Sequence, residues 1–250
     1  MERKYGWKKD AHDGRDLKLK APQFWVSLPP SVDLRDEKMP PVWDQGSLGS
    51  CTAQAIGAGF AYECAKHGHG AFMPSRLFIY YNERVMEGTI NEDSGAQIRD
   101  GVKSVAQLGV CEEELWNYDI DKFSERPPQP AYDEALNHQA LQYLNVNQDL
   151  NSIKAVLAAG QPIMFGFTVY ESFESADVAR TGMAPLPNTQ REQCLGGHAV
   201  LLVGYRADGL WIVRNSWSPK WGQNGYFFMP QSFLTNLSLS SDFWVIKKVE

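Results

Sequence analysis

The sequence predicts an α+β protein of two lobes, a helical lobe over about residues 45–135 and a β-rich lobe over about 136–250. Three observations carry that prediction. Apolar residues recur at helical spacing between Cys51 and Leu108. Valine, aromatic residues and turn glycines dominate from Ile163 onward. An irregular stretch, 110–131, ends in Pro127-Pro128-Gln129-Pro130 and separates the two patterns.

Residues 1–30 are polar and charged, end in Pro29-Pro30, and read as a leader arm outside the core; residues 31–250 form the main domain. From Cys51 to about Cys64, Ala53, Ile56, Phe60 and Cys64 line one helical face, with Ser50 as the N-cap and Gly68 and Gly70 as breakers. A second helix follows Pro74-Ser75 and carries Leu77, Phe78, Tyr81 and Val85. A third starts near Ser94, with Ile98, Val102, Val105 and Leu108, and stops at Gly109. A short helix over Asn151–Ala159, closed by Gly160, precedes a strand at Ile163–Val169. Further strands are expected at His198–Tyr205, Leu210–Arg214, Gly225–Met229 and Phe243–Lys247, with a long loop over Tyr170–Leu195.

The chain has 250 residues and a net charge of −6, with 43% hydrophobic and 22% charged residues. That is enough chain for a sizeable core, and the acidic balance argues against a nucleic-acid partner. No apolar run approaches the roughly 20 residues a membrane helix needs. The first nine residues carry charge without an apolar stretch behind them, so no secretory signal is expected. The expected location is cytoplasmic, or outside the cell by a non-classical route. The four cysteines, Cys51, Cys64, Cys111 and Cys194, have no zinc-like spacing and are expected as reduced thiols; one bridge among the last three stays open. His67 and His69, on a glycine-broken turn, are not expected to bind metal.

Three separated segments carry chemistry. Gln45-Gly46-Ser47-Leu48-Gly49-Ser50-Cys51 delivers a thiol to a helix start; Gly196-Gly197-His198-Ala199 and Asn215-Ser216-Trp217 follow far downstream. A free thiol, near pKa 8.5, is mostly protonated at neutral pH. The positive end of a helix and a neighbouring imidazolium would both favour the thiolate. Thiolate attack on an amide creates an oxyanion, which the Cys51 N–H and the Gln45 side-chain amide could stabilise. His198 would protonate the leaving amine and later activate water, Asn215 would orient the imidazole, and Trp217 would roof their bond.

These motifs resemble those of the papain-like cysteine peptidases, from about residue 30 to the end. The Gln-Gly-x-x-Gly-Ser-Cys run matches, as do Gly-His-Ala before an apolar strand and the segment Asn215-Ser216-Trp217-Ser218-Pro219-Lys220-Trp221-Gly222. The distance from Cys51 to His198 falls inside the roughly 130–150 residues expected of that family. The resemblance implies a two-lobed fold with the active site in the cleft. It also implies peptide hydrolysis through a thioester, and no metal or organic cofactor. It places Ser94, Gly95 and Ala96 at a cleft edge, Gly166 and Gly197 with Ala96 in a recognition pocket for an apolar side chain, and Trp221 at the leaving-group side, with Trp217 also among the substrate-binding residues. Four positions depart from the common pattern: Leu48 stands for a half-cystine, Thr52 for Trp and Ser218 for Gly, and the leader is short. The short leader and Ser75-Arg76-Leu77-Phe78 resemble the bacterial branch.

The expected activity is that of a cysteine endopeptidase acting on protein or peptide, with the leader as an intramolecular inhibitor. An exopeptidase or acyl transferase would use the same chemistry, and an inactive homologue would keep only a peptide-binding cleft.

Overall fold

The structure is a computed structural model that describes residues 3–19 and 27–250. Seven helices are present among these residues: α1 (Cys51–Lys66), α2 (Arg76–Glu87), α3 (Ile98–Leu108), α4 (Gln129–Ala135), α5 (Leu150–Ala158), α6 (Ala176–Thr181) and α7 (Gln231–Thr235). The strands are β1 (Trp7–Lys8), β2 (Val32–Asp33), β3 (Ala96–Gln97), β4 (Ala140–Asn145), β5 (Ile163–Tyr170), β6 (Cys194–Tyr205), β7 (Leu210–Arg214), β8 (Tyr226–Pro230) and β9 (Ser240–Val249). The main sheet runs β4-β9-β5-β6-β7-β8 with antiparallel pairing throughout, and β2 joins on β6. A helical lobe therefore faces a β-rich lobe, as the sequence predicts.

Helix α1 is the seam. Every residue from Cys51 to Cys64 is buried, so this helix has no solvent face. Its small residues make that possible. Gly57 faces Pro74, Arg76 and Ile79 on one side, and Gly59 faces Met164 and Leu201 of the sheet on the other. Its N-terminus differs from expectation: Ser50 makes no side-chain cap bond, because its hydroxyl is paired with that of Tyr118. Ser75 does cap α2, accepting from Phe78 N at 3.1 Å.

Helix α3 begins at Ile98, later than predicted, because Ala96–Gln97 is drawn into a parallel pair with Trp7–Lys8. The Tyr170–Leu195 stretch contains a 3-10 turn at Glu171–Glu174 and helix α6. The prolines at 127 and 128 lead into α4, where a helix had not been expected. Strand β4 was likewise not anticipated.

The largest departure concerns residues 3–19. They were expected to lie outside the core, yet Tyr5, Trp7 and Leu19 pack against it. Gly6 sits between Gly49 and Gly95; a Cβ on it would lie 1.7 Å from the Gly49 oxygen, so only glycine fits. The four cysteines are free, and Cys194 alone is exposed. No described helix is long and apolar enough to cross a membrane.

Candidate active site

Cys51 is the first residue of α1 and lies against β6: its Sγ accepts from Ala199 N at 3.4 Å. His198, the preceding residue, is fully buried. Its Nε2 is 2.8 Å from Asn215 Oδ1. That same Oδ1 accepts from Ser216 N at 2.9 Å, which fixes it as an acceptor. The proton of the neutral ring must then sit on Nε2, leaving Nδ1 with a bare lone pair. Nδ1 is buried with no hydrogen-bond partner among the described residues. The indole of Trp217 stacks over the imidazole, centroids 4.7 Å apart at 24°, and Trp221 meets Trp217 edge-on at 5.1 Å.

Gln45 is held in one orientation. Its Oε1 accepts from Ser216 Oγ at 2.7 Å, and its Nε2 donates to Leu48 O at 2.9 Å and to Lys4 O at 3.4 Å. Its backbone N–H bonds Ser216 O at 2.9 Å, and Ser218 N bonds Trp43 O at 3.1 Å, so segments 43–45 and 216–218 run as a short antiparallel clip. Residues 45, 51, 198 and 215 thus converge at the seam of the lobes.

Residues 3–8 fill this cleft. The Arg3 guanidinium stacks 4.0 Å from the Trp217 ring centre and pairs with Glu174 at 3.1 Å. Tyr5 also bonds Glu174 and packs edge-on against His198. The Gly6 backbone N–H faces the Cys51 sulfur, and Ala96 N donates to Gly6 O at 2.7 Å. Trp7 lies over Gly166 and Gly197. Lys4 pairs with Asp93 at 2.8 Å and Lys8 with Glu87 at 3.1 Å.

With the cleft covered, ionisation runs against the sequence expectation of an ion pair. Burial pushes the Cys51 thiol up to about 12, against the pull of the Ala199 and Gly6 amides. Burial also takes His198 down to about 4, opposed by its bond to Asn215. The covered site is a neutral thiol beside a neutral imidazole. Thr52 donates to the fully buried Glu83, whose carboxyl desolvation holds well above the usual carboxylate range.

Of the residues expected at the cleft edge, Ala96 reaches the cleft directly through its N–H. Gly95 N bonds Tyr80 Oη at 3.2 Å, and Gly6 packs on its Cα. Ser94 does not point into the cleft chemistry: its hydroxyl bonds Thr89 Oγ1 and Gly95 O inside its own loop. Sequence reasoning missed Ser216 as the group that orients Gln45. It also missed the bond by which Asp93, at the expected cleft edge, accepts from Gly49 N at 3.0 Å, and Tyr118, which donates to Gln45 O at 2.9 Å. Ser216 stands inside a recognised motif; the other two carry no local signal.

The fold and this constellation define a thiol peptidase with a two-lobed architecture. A model of the papain family cysteine proteases matches residues 28–242, and the chain belongs to that family. It is 41% identical to xylellain, a cysteine protease from Xylella fastidiosa, with a TM-score of 0.92 over 100% of this chain and 99% of that one. It is 49% identical over 216 residues to an uncharacterized peptidase C1-like protein of Acanthamoeba polyphaga mimivirus, covering 82% of this chain and 69% of the other. A cathepsin B-like protein of Giardia intestinalis is 30% identical over 80% of this chain and 67% of its own. Procathepsin L2 from Tenebrio molitor shares the fold, with a TM-score of 0.75 at 22% identity over 97% of this chain and 78% of that one. The chain is a cysteine peptidase, a hydrolase of peptide bonds.

Proposed function

We propose that this peptidase works as an endopeptidase through a thioester on Cys51, with His198 as base and acid, Asn215 as orienter, and Gln45 with the Cys51 N–H as oxyanion donors. The observation that carries this reading is the fixed tautomer of His198. Asn215 Oδ1, pinned as an acceptor by Ser216 N, claims the Nε2 proton and leaves Nδ1 free to take one from a thiol. Opening the cleft restores water and removes the burial that holds both groups neutral, so the proton can pass from sulfur to imidazole. The thiolate then attacks the carbonyl carbon, and the oxyanion replaces Lys4 O at Gln45 Nε2. Collapse expels the amine, which takes the proton from His198. Water, deprotonated by His198, releases the acid and regenerates the thiol.

Residues 3–8 act in this reading as the intramolecular inhibitor. Arg3 lies toward Trp217 and Trp221 on the leaving-group side, and Trp7 on the acyl side. A substrate must run the opposite way, with its amino-terminal portion on the acyl side. The leader therefore covers the thiol with a chain of reversed polarity, presenting the Gly6 N–H to it, not a carbonyl carbon.

Cys51→Ala should abolish peptide turnover while leaving the circular dichroism spectrum and unfolding midpoint close to those of the parent. Retained turnover in that variant ends the proposal.

A further inference from the structure

The side chain of Trp7 reports the shape of the pocket it fills. A Cβ at Gly166 would stand 1.9 Å from the indole Cε2, and one at Gly197 would stand 2.6 Å from Cε3. The two glycines lie on the neighbouring strands β5 and β6, where Gly166 pairs with Ala199 and Gly197 with Thr168. The indole thus lies flat across two strands, its five-membered ring over Gly166 and its six-membered ring over Gly197. Neither glycine has an exceptional requirement there beyond clearance; the absence of both side chains is what makes room for a ring of this breadth.

The pocket also holds an acceptor. Trp7 Nε1 donates to Asp242 Oδ2 at 3.0 Å, and the Asp10 backbone N–H reaches the same oxygen at 2.8 Å. Both donors belong to the leader. When the leader leaves, that carboxylate oxygen loses both partners while the wall around it stays. A substrate side chain that restores an N–H regains a bond to a charged acceptor; one that is equally large but purely apolar strands the carboxylate against hydrocarbon. Asp242 follows Ser241, which pairs with Gly166, and its backbone φ of 61° places it where the strand turns beside the slot.

Resting on the peptidase reading above, we propose that Asp242 is a specificity-determining residue. It selects substrates with tryptophan at the second residue on the acyl side of the scissile bond (P2), seated flat over Gly166 and Gly197 as Trp7 is.

The test uses the full chain carrying Arg3→Ala, Tyr5→Ala and Trp7→Ala, to release the side-chain anchors of the leader and empty the slot, and fluorogenic peptides that differ only at P2: tryptophan, its benzothienyl isostere with sulfur for N–H, phenylalanine, leucine and arginine. Tryptophan should exceed the isostere by about ten- to a hundredfold in kcat/KM, the range of a bond to a charged group. Asp242→Gly, which suits the positive φ, should bring the two within about threefold. Gly166→Val should depress the tryptophan and phenylalanine substrates more than leucine. Equal rates for tryptophan and its isostere, or arginine or leucine ahead of tryptophan, overturn the assignment. A thiol-directed epoxide separates the two readings. Labelling of Cys51 without the tryptophan preference sinks the slot alone, whereas no labelling and no turnover of any peptide sinks the peptidase mechanism.

Discussion

At the scale of single residues, the site depends on side chains that hold other side chains. Ser216 is the clearest case: its N–H decides the tautomer of His198 through Asn215, and its hydroxyl decides which end of the Gln45 amide is turned toward the Leu48 and Lys4 carbonyls as donor. Gln45→Ala should lower kcat by about 100- to 1000-fold with little change in stability, the usual loss for one oxyanion donor; steady-state kinetics on a peptide substrate measures it. Ser218 occupies a backbone position with φ of 73°. Ser218→Gly should raise the unfolding free energy by about 0.5–1 kcal/mol, read from a denaturant midpoint, because the left-handed region strains a residue with a Cβ. The convergence of Cys51, His198, Asn215 and Gln45 was legible in the sequence because three recognisable motifs carry those chemical types in order. Ser216, Asp93, Tyr118 and Asp242 were not, because their roles depend on which remote backbone or ring folding brings to them.

Among the elements, the leader shows where local patterning stops being informative. Helix α1 and strand β5 were visible because apolar spacing set by their own residues defines them. Strands β1 and β3 are two residues each and exist only through each other, so neither has a periodicity to read. The polar composition of residues 3–19 concealed that Tyr5 and Trp7 are anchors. The leader's grip is also pH-dependent. Asp10 Oδ2 accepts from Trp244 Nε1 at 2.7 Å and its Oδ1 from Arg99 N at 3.2 Å, with the Asp242 carboxylate nearby. Arg99 supplies positive charge and is shared with Asp16 and Asp100, while Lys9 acts on Asp242. Burial first, and the neighbouring Asp242 second, push Asp10 up to about 7. A carboxyl raised in the docked state binds a proton that the free leader releases, so docking through Asp10 is firm in acid and weakens as pH rises toward and through 7. His198, lowered to about 4, pulls in the opposite sense below its ordinary value. Asp10→Asn should therefore remove the loss of inhibition between pH 6 and 8 on a rough scale set by that shift. Onset of peptide turnover across pH, parent against variant, measures this. Trp7→Ala should weaken docking by about 2 kcal/mol, or roughly thirtyfold, from lost apolar burial.

Over the whole molecule, the two lobes are tied by buried polar bonds as well as by α1. The segment from Val32 to Asp44 lies along the β-rich lobe, with Leu34 N bonded to Val203 O at 2.8 Å, before the chain crosses to α1. Arg214, nearly buried, donates to Pro40 O at 2.8 Å and to Pro41 O, and stacks on Trp43. Arg214→Ala should cost about 3 kcal/mol in a denaturant titration, because it leaves buried carbonyls without donors. The two-lobed plan was legible from the change of pattern near residue 131. The strap over the second lobe was not, since its contacts are made by backbone groups that any sequence possesses.

The polarity of residues 3–8 has a kinetic corollary. A molecule does not hydrolyse a segment that lies backwards across its own thiol, so on the inhibitor reading proposed above, removal of residues 3–8 falls to a second copy. Activation should then be autocatalytic and bimolecular: a progress curve with a lag that shortens as protein concentration rises, and traces of active enzyme that abolish the lag altogether.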